Sequence, residues 1–299
     1  MASILISGGT GLVGKHLCKI LKEKGHSVAI LSRATSDNKS IFHWNIKDEY
    51  IAPEAIKETD FIIHLAGAGI ADKRWTKNRK IDLIDSRVAS TNLLFKKVKE
   101  LNPNLKGFIS ASGIGYYGAV TTSKTFSETD SSGNDFVSEI CKLWENSVNQ
   151  FNTLQIRTVI LRTGIVLSKK GGALEKISNP IKLGFGANLG TGKQYIPWIH
   201  IEDLCNLFIE AIENNNLNGI YNAVSHEHCT NKTFTKTIAE ILNKPLWLPN
   251  IPSAILKFIL GEMAVILLEG SKISSKKIEL TGFKFEFPTL KKALTDLLK

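Results

Sequence analysis

Ser7-Gly8-Gly9-Thr10-Gly11-Leu12-Val13-Gly14 decides the fold of this chain. The run before it, Ser3-Ile4-Leu5-Ile6-Ser7, is short and apolar and reads as a buried strand. After it, Val13, Leu17, Ile20 and Leu21 recur at helical spacing, and Gly25 follows as a stop. Glycines at 8, 11 and 14 thus join a strand to a helix. Gly8 permits a tight turn, Gly11 lets the backbone approach a pyrophosphate, and Gly14 lets the helix sit close to the sheet. The unpaired amides of the helix start, with its positive dipole end, suit phosphate. The plainer alternative is a glycine-rich turn, and the flanking strand and helix argue for dinucleotide binding through Gly8, Thr10, Gly11, Leu12, Val13 and Gly14.

The next strand, Ser27-Val28-Ala29-Ile30-Leu31, ends in Ser32-Arg33 rather than in an acidic residue. An acid there holds the ribose hydroxyls of NAD, whereas Arg33 and Ser32 are suited to a 2′-phosphate. NADP(H) is therefore expected over NAD(H), a surface arginine at a strand end being the alternative.

Further along, strands at 60–65, 106–111 and 154–161 alternate with helices at about 76–101 and 135–151. Alternation of this kind implies crossover connections and a parallel sheet covered on both faces. Beyond Gly164 the pattern loosens. Helices are expected at 201–214 and 231–242 with a strand at 220–224 between them. Pro245, Pro249 and Pro252 open a C-terminal helical stretch. The expected organisation is a Rossmann-type α/β domain over residues 1–245, with the substrate cleft starting near 165, and a smaller, mostly helical region over 246–299.

Composition limits the alternatives. The chain has 299 residues, 43% hydrophobic and 22% charged, which excludes collagen-like and largely disordered classes. Its net charge of +10 invites a nucleic-acid reading. The lysines are dispersed, however, and the runs Lys96-Lys97-Val98-Lys99 and Lys276-Lys277 lack interleaved aromatics, so a solvated lysine-rich face is expected and no nucleic-acid partner. Cys18, Cys141, Cys205 and Cys229 form no CxxC pair, which suggests reduced thiols and a cytoplasmic setting. No basic n-region precedes the first strand, so no signal peptide is expected. The apolar stretch 254–268 is interrupted by Lys257, Gly261 and Glu262. It is expected to be a buried or lid-forming helix, with no membrane partner. His226-Glu227-His228-Cys229 is read as a loop before a helix rather than a metal site, because successive loop residues rarely converge on one ion.

The remaining motifs give the chain a resemblance over almost its whole length. They are His64-Leu65-Ala66-Gly67-Ala68, Ile70-Ala71-Asp72-Lys73-Arg74-Trp75, Asp85-Ser86-Arg87-Val88, Ser110-Ala111-Ser112-Gly113-Ile114-Gly115-Tyr116-Tyr117-Gly118, Trp144-Glu145, Arg162-Thr163-Gly164, Trp198-Ile199-His200-Ile201-Glu202-Asp203 and Gly282-Phe283. With the glycine motif, they resemble an atypical extended short-chain dehydrogenase/reductase of the NAD-dependent epimerase/dehydratase type, with its C-terminal domain of unknown function. The resemblance implies a sheet of roughly seven strands. It also implies that Leu65, Ala66, Gly67 and Arg87 flank the cofactor, with Arg162 and Gly164 near the nicotinamide. Ser112 would hydrogen-bond a substrate oxygen, a capping serine being the alternative.

The superfamily's Tyr-x-x-x-Lys pair is missing. Aligned through Glu145, the tyrosine position holds Val137 and the lysine position Cys141, and neither does acid–base work. The usual helix asparagine corresponds to Arg87, and the arginine that often grips a sugar-nucleotide diphosphate corresponds to Ile196. Tyr116 or Tyr117 then stands as proton donor, a packed aromatic being the alternative for each. Arg74, Trp75, Gln194, Trp198 and His200 are the candidate substrate residues, with a structural cap the alternative for His200 and core packing for Trp198. The expected function is an NADP(H)-dependent oxidoreductase acting on a small carbonyl or alcohol. The alternatives are a catalytically silent NADP(H)-binding regulatory or redox-sensing protein and, third, a nucleotide-sugar epimerase or dehydratase. Proteins of this fold often pair through two long helices, so a homodimer is expected by analogy.

Overall fold

A computed structural model describes all 299 residues. The first half contains β1 (Ser3–Ser7), α1 (Leu12–Glu23), β2 (Ser27–Ser32), β3 (Ile41–Asn45), β4 (Tyr50–Ile51), α2 (Pro53–Lys57), β5 (Phe61–His64), α3 (Lys77–Leu101), β6 (Gly107–Gly113), β7 (Thr125–Phe126) and α4 (Phe136–Asn149). Then follow β8 (Arg157–Thr163), β9 (Ile165–Leu167), α5 (Ala173–Lys182), β10 (Trp198–His200), α6 (Ile201–Glu213), β11 (Gly219–Ala223), α7 (Asn231–Ile241), α8 (Ser253–Leu260), α9 (Val265–Leu268), β12 (Lys272–Ile273), α10 (Lys276–Glu279) and α11 (Leu290–Leu298).

Eight strands form the main sheet in the order β11-β8-β6-β5-β1-β2-β3-β4. All neighbours are parallel except β3 and β4. This is the expected Rossmann-type architecture with one more strand than anticipated. The extra one is the two-residue β4, which returns on the sheet edge. Two apolar layers cover the faces. Ile4, Ile6, Ile63, Ile109 and Leu161 pack under α1 and α6, while Leu5, Ile62, Phe108 and Ile160 face α3 and α4. Alternate residues of each central strand supply opposite layers, as the period of two requires.

The helices start where their caps dictate. Thr76 accepts from the Arg79 amide at the head of α3. Asp135 and Ser138 form a reciprocal capping pair at α4. Helix α1 is different: Gly11 offers no side-chain cap, and no acid occupies its first turn.

Residues past 245 interlock with the rest of the chain. Ile278 enters the core layer beneath α1 and α6, and β12 pairs with β7. Helix α8 starts beside the Asn188–Gly190 loop, where the Gly190 amide donates to Ile251 O and the Ile251 amide to Asn188 O. Gly261 then breaks the expected continuous 254–268 helix at φ 62°. Leu256 is the one buried residue of α8, so this helix lies on the surface rather than in the core. No helix is long and apolar enough to cross a membrane.

Candidate cofactor and substrate site

The C-terminal edge of the parallel sheet gathers the residues expected to hold the dinucleotide. The turns after β1, β2 and β5 lie side by side, because those strands are neighbours, and this edge is where open α/β sheets bind ligands. Gly8 has φ +76°, and a Cβ there would stand 2.8 Å from the Leu65 carbonyl carbon. A Cβ on Gly14 would lie 2.2 Å from the Gly8 oxygen. The loop is thus closed against its own backbone, with the exposed Thr10 and Gly11 outermost. The first-turn amides of Leu12, Val13 and Gly14 have no side-chain cap, and the Gly8 turn packs against the Leu65–Ala66 turn after β5. Such a cradle fits a pyrophosphate. At the end of β2, Ser32 accepts the Ala34 amide at 3.1 Å in an exposed turn, and Arg33 is exposed with no carboxylate partner.

His64, at the end of β5, anchors this loop from below and was missed as a structural element. Its Nδ1 lies 2.6 Å from the Ser7 hydroxyl, and its Nε2 lies 3.2 and 3.1 Å from those of Ser90 and Thr91. The two α3 hydroxyls already donate to backbone carbonyls, so they accept from His64, whose neutral ring carries its proton on Nε2. Ser7 then donates to Nδ1, which joins the residue before Gly8 to α3. Burial pushes His64 down to about 3. The unfolded ring takes up a proton near the ordinary histidine value of 6.5, whereas the folded one does so only near 3. Its contribution is therefore complete above pH 6.5 and lost as pH falls toward 3, at up to about 1.4 kcal/mol per pH unit. Thermal melts from pH 7 to 4 are expected to fall more steeply for the native protein than for His64→Gln. Parallel slopes would show that His64 does not set the acid limb.

Between β6, α4 and β8 lies a buried polar network. Glu145 receives Arg162 Nε at 2.8 Å on Oε1 and Nη2 at 2.7 Å on Oε2. Ser112 donates to Oε1 of the same carboxylate at 2.7 Å. Arg162 Nη1 donates to the Tyr117 hydroxyl at 3.0 Å, which in turn donates to Asn222 Oδ1 at 2.7 Å. Burial alone would lower the Arg162 guanidinium, but Glu145 and Tyr117 hold it above its ordinary value. Burial pushes the Tyr117 phenol up to about 12.

This network takes in three of the expected site residues. Arg162 is 1% exposed, with all three nitrogens engaged within the protein. The Ser112 hydroxyl donates to Glu145. The Tyr117 hydroxyl donates to Asn222. Gly164 serves packing, because a Cβ there would meet the Pro197 oxygen at 2.7 Å. Tyr116 differs from its neighbour. It is half-buried, its ring lies under the Arg162 guanidinium at 3.4 Å, and its hydroxyl pairs with no protein group.

The positions that lack tyrosine and lysine face glycine. A Cβ on Gly115 would sit 2.4 Å from Val137 Cγ1, and one on Gly113 would sit 3.5 Å from Cys141 Sγ. Burial pushes the Cys141 thiol up to about 12, so it carries no charge. Val137 and Ile140 instead pack with Trp75, Leu83 and Met263 of the C-terminal segment.

Four of the five candidate substrate residues are buried. Trp75 is buried, with its indole donating to Ile70 O at 2.9 Å. Gln194, 2% exposed, joins Leu189 O and Leu267 O at 3.1 and 2.8 Å. Trp198 is wholly buried in the core beneath α7 and α11. His200 caps α6 and stacks on Phe287 at 3.7 Å between centroids, while Asp203 receives the Glu286 and Phe287 amides at 2.7 and 3.0 Å. That pair pins the C-terminal tail. Arg74 alone of the five is exposed.

Comparison with known proteins agrees with this architecture. The model of the NAD dependent epimerase/dehydratase family matches residues 4–223, and a domain of unknown function (DUF1731) matches residues 251–297. The epimerase family protein YfhF of Bacillus subtilis is 35% identical over 99% of this chain and 98% of its own. The mouse epimerase family protein SDR39U1 is 32% identical, with 99% of each chain covered. Human SDR39U1, solved with NADPH, superposes with a TM-score of 0.88 at 29% identity, over 99% of this chain and 98% of that one.

Proposed function

Because the chain belongs to the NAD-dependent epimerase/dehydratase family, we propose that it binds NADP(H) along the β1, β2 and β5 turns and acts as an oxidoreductase on a small carbonyl or alcohol. The glycine cradle at the uncapped start of α1 carries the cofactor assignment. Arg33, exposed and without a carboxylate, selects the 2′-phosphate. The NADPH in the human relative's structure supports the same choice. When bound, the nicotinamide gives or takes a hydride. The first-turn amides of α1 hold the pyrophosphate, and the Gly67 turn lines the cofactor's flank. Tyr116 is the hydroxyl left free to exchange a proton with substrate, in place of the tyrosine absent at Val137.

One observation favours a second reading, a holder of NADP(H) without turnover. Gly113, Gly115, Val137 and Cys141 leave the usual acid–base position without a titrating group. Calorimetry and a carbonyl panel separate the two. Arg33→Ala is expected to weaken NADPH by about 30- to 100-fold, the loss of one charge-assisted phosphate contact, and NADH by less than threefold. Equal losses would remove the phosphate role. NADPH oxidation with a panel carbonyl, reduced at least tenfold in Tyr116→Phe, supports turnover. Tight binding with no oxidation across the panel supports the holder.

A further inference from the structure

Arg87 is a half-buried cation without a carboxylate partner. Its guanidinium lies 5.1 Å from the Trp144 ring centroid. Cys141 and Trp144, three residues apart on α4, share a helix face. Nη1 donates to Leu83 O at 2.8 Å and Nη2 to Ala68 O at 3.0 Å. A Cβ on Gly67 would stand 3.1 Å from Arg87 Cζ. No carboxylate lies within ion-pair distance of it, unlike Arg162. Of its five N–H donors, Nε and one on Nη2 remain unspent within the protein. A half-buried guanidinium gives up part of its hydration, and two backbone carbonyls compensate only part of that cost.

The location gives the charge a use. The β2 turn with Arg33 is one end of the cleft, and the sheet order then runs β1, β5 and β6. Arg87 stands past β5, on the β6 side, at the far end from Arg33. It flanks the face of α4 where Cys141 stands at the lysine position of the missing Tyr-x-x-x-Lys pair. We infer that Arg87, projecting from α3, supplies the cation missing at Cys141, holds the nicotinamide-side ribose through its free N–H groups, and favours the reduced cofactor over the oxidised one. This inference rests on the NADP(H) reading above. The preference follows from sign: the oxidised nicotinamide ring is positive and the reduced ring neutral, so a nearby guanidinium repels only the former. Arg87 is a positioning residue in this scheme and exchanges no proton.

The test is calorimetric and needs no turnover. NADPH, NADP+ and adenosine 2′,5′-bisphosphate, which lacks the nicotinamide half, are titrated into native protein, Arg87→Met and Arg87→Gln. The glutamine variant preserves a donor for Ala68 O and guards against misfolding of the first, with melting curves as the check. Native protein is expected to bind NADPH about tenfold more tightly than NADP+, the order of an unscreened charge pair several ångströms apart. Both variants are expected to lose at least tenfold in NADPH affinity, to bind the bisphosphate within twofold of native, and to bring the NADPH to NADP+ ratio close to one. Adding Cys141→Lys to Arg87→Gln is expected to recover part of the NADPH affinity. Equal weakening of NADPH and the bisphosphate would mean that Arg87 only supports the loop, and an unchanged ratio would remove the nicotinamide-side role; either overturns the inference while the cofactor reading stands. Native protein binding none of the three compounds overturns both.

Discussion

Arg162→Met is expected to cost about 3–5 kcal/mol of folding stability, the usual penalty for stranding one member of a buried ion pair. Glu145 is 3% exposed and would keep a single hydrogen bond, from Ser112, where it now has three. The Tyr117 hydroxyl would also lose its donor. Thermal unfolding should shift down by roughly 10 °C for a chain of this size. The double variant Glu145→Leu/Arg162→Met provides the contrast. With both charges gone no carboxylate is stranded, so it should melt well above the single variant. A single variant as stable as native protein would show that the pair does not carry the network.

The same network explains why the site was less legible than the fold. The glycine spacing, the strand–helix alternation and the cap residues Thr76 and Asp135 each act within a few residues, and each appears in the structure where local rules place it. Ser112 depends on which face of β6 its side chain takes. It points with Ser110 into the protein, as strand alternation demands. The resemblance implied a hydrogen bond to a substrate oxygen, with a capping serine the alternative. Arg162 meets a carboxylate 17 residues earlier on a different element, a pairing that no local pattern encodes. For Trp198 and His200 the sequence leaves a substrate role open beside core packing and a structural cap. Their strand β10 pairs with β9 beneath the C-terminal tail, which buries both. The signals for His64 were present but unread: Ser90 and Thr91 stand together on the buried face of α3, and adjacent hydroxyls there need an acceptor or donor across the interface. The loop containing α5, with Pro180 inside the helix and glycines on both sides, concealed a helix whose apolar face packs against α7.

Gly14→Ala is expected to abolish NADPH binding and to destabilise the fold together. The added carbon would meet Gly8 O at 2.2 Å and Gly9 Cα at 2.6 Å, and both are backbone atoms with no rotamer to yield. Helix α1 must therefore lift from β1, which opens the turn closed by the 3.0 Å bond from the Gly11 amide to Gly8 O. Leu17 and Leu21, both wholly buried on α1, would move with it. An affinity loss of at least about 100-fold and a stability loss of about 2–3 kcal/mol, within the range for overpacked sites, are expected. Gly11→Ala separates the two effects. Its backbone is extended, at φ −76° and ψ 179°, and its Cβ would only brush Gly8 O at 3.3 Å. The fold should then melt within a few degrees of native, while the new methyl occupies the space where a pyrophosphate approaches the amides. Calorimetry with NADPH and a thermal melt on both variants therefore assign the two glycines different work: the packing of α1 to Gly14 and ligand access to Gly11. Gly11→Ala binding NADPH as well as native protein does would place the phosphates elsewhere on the sheet edge.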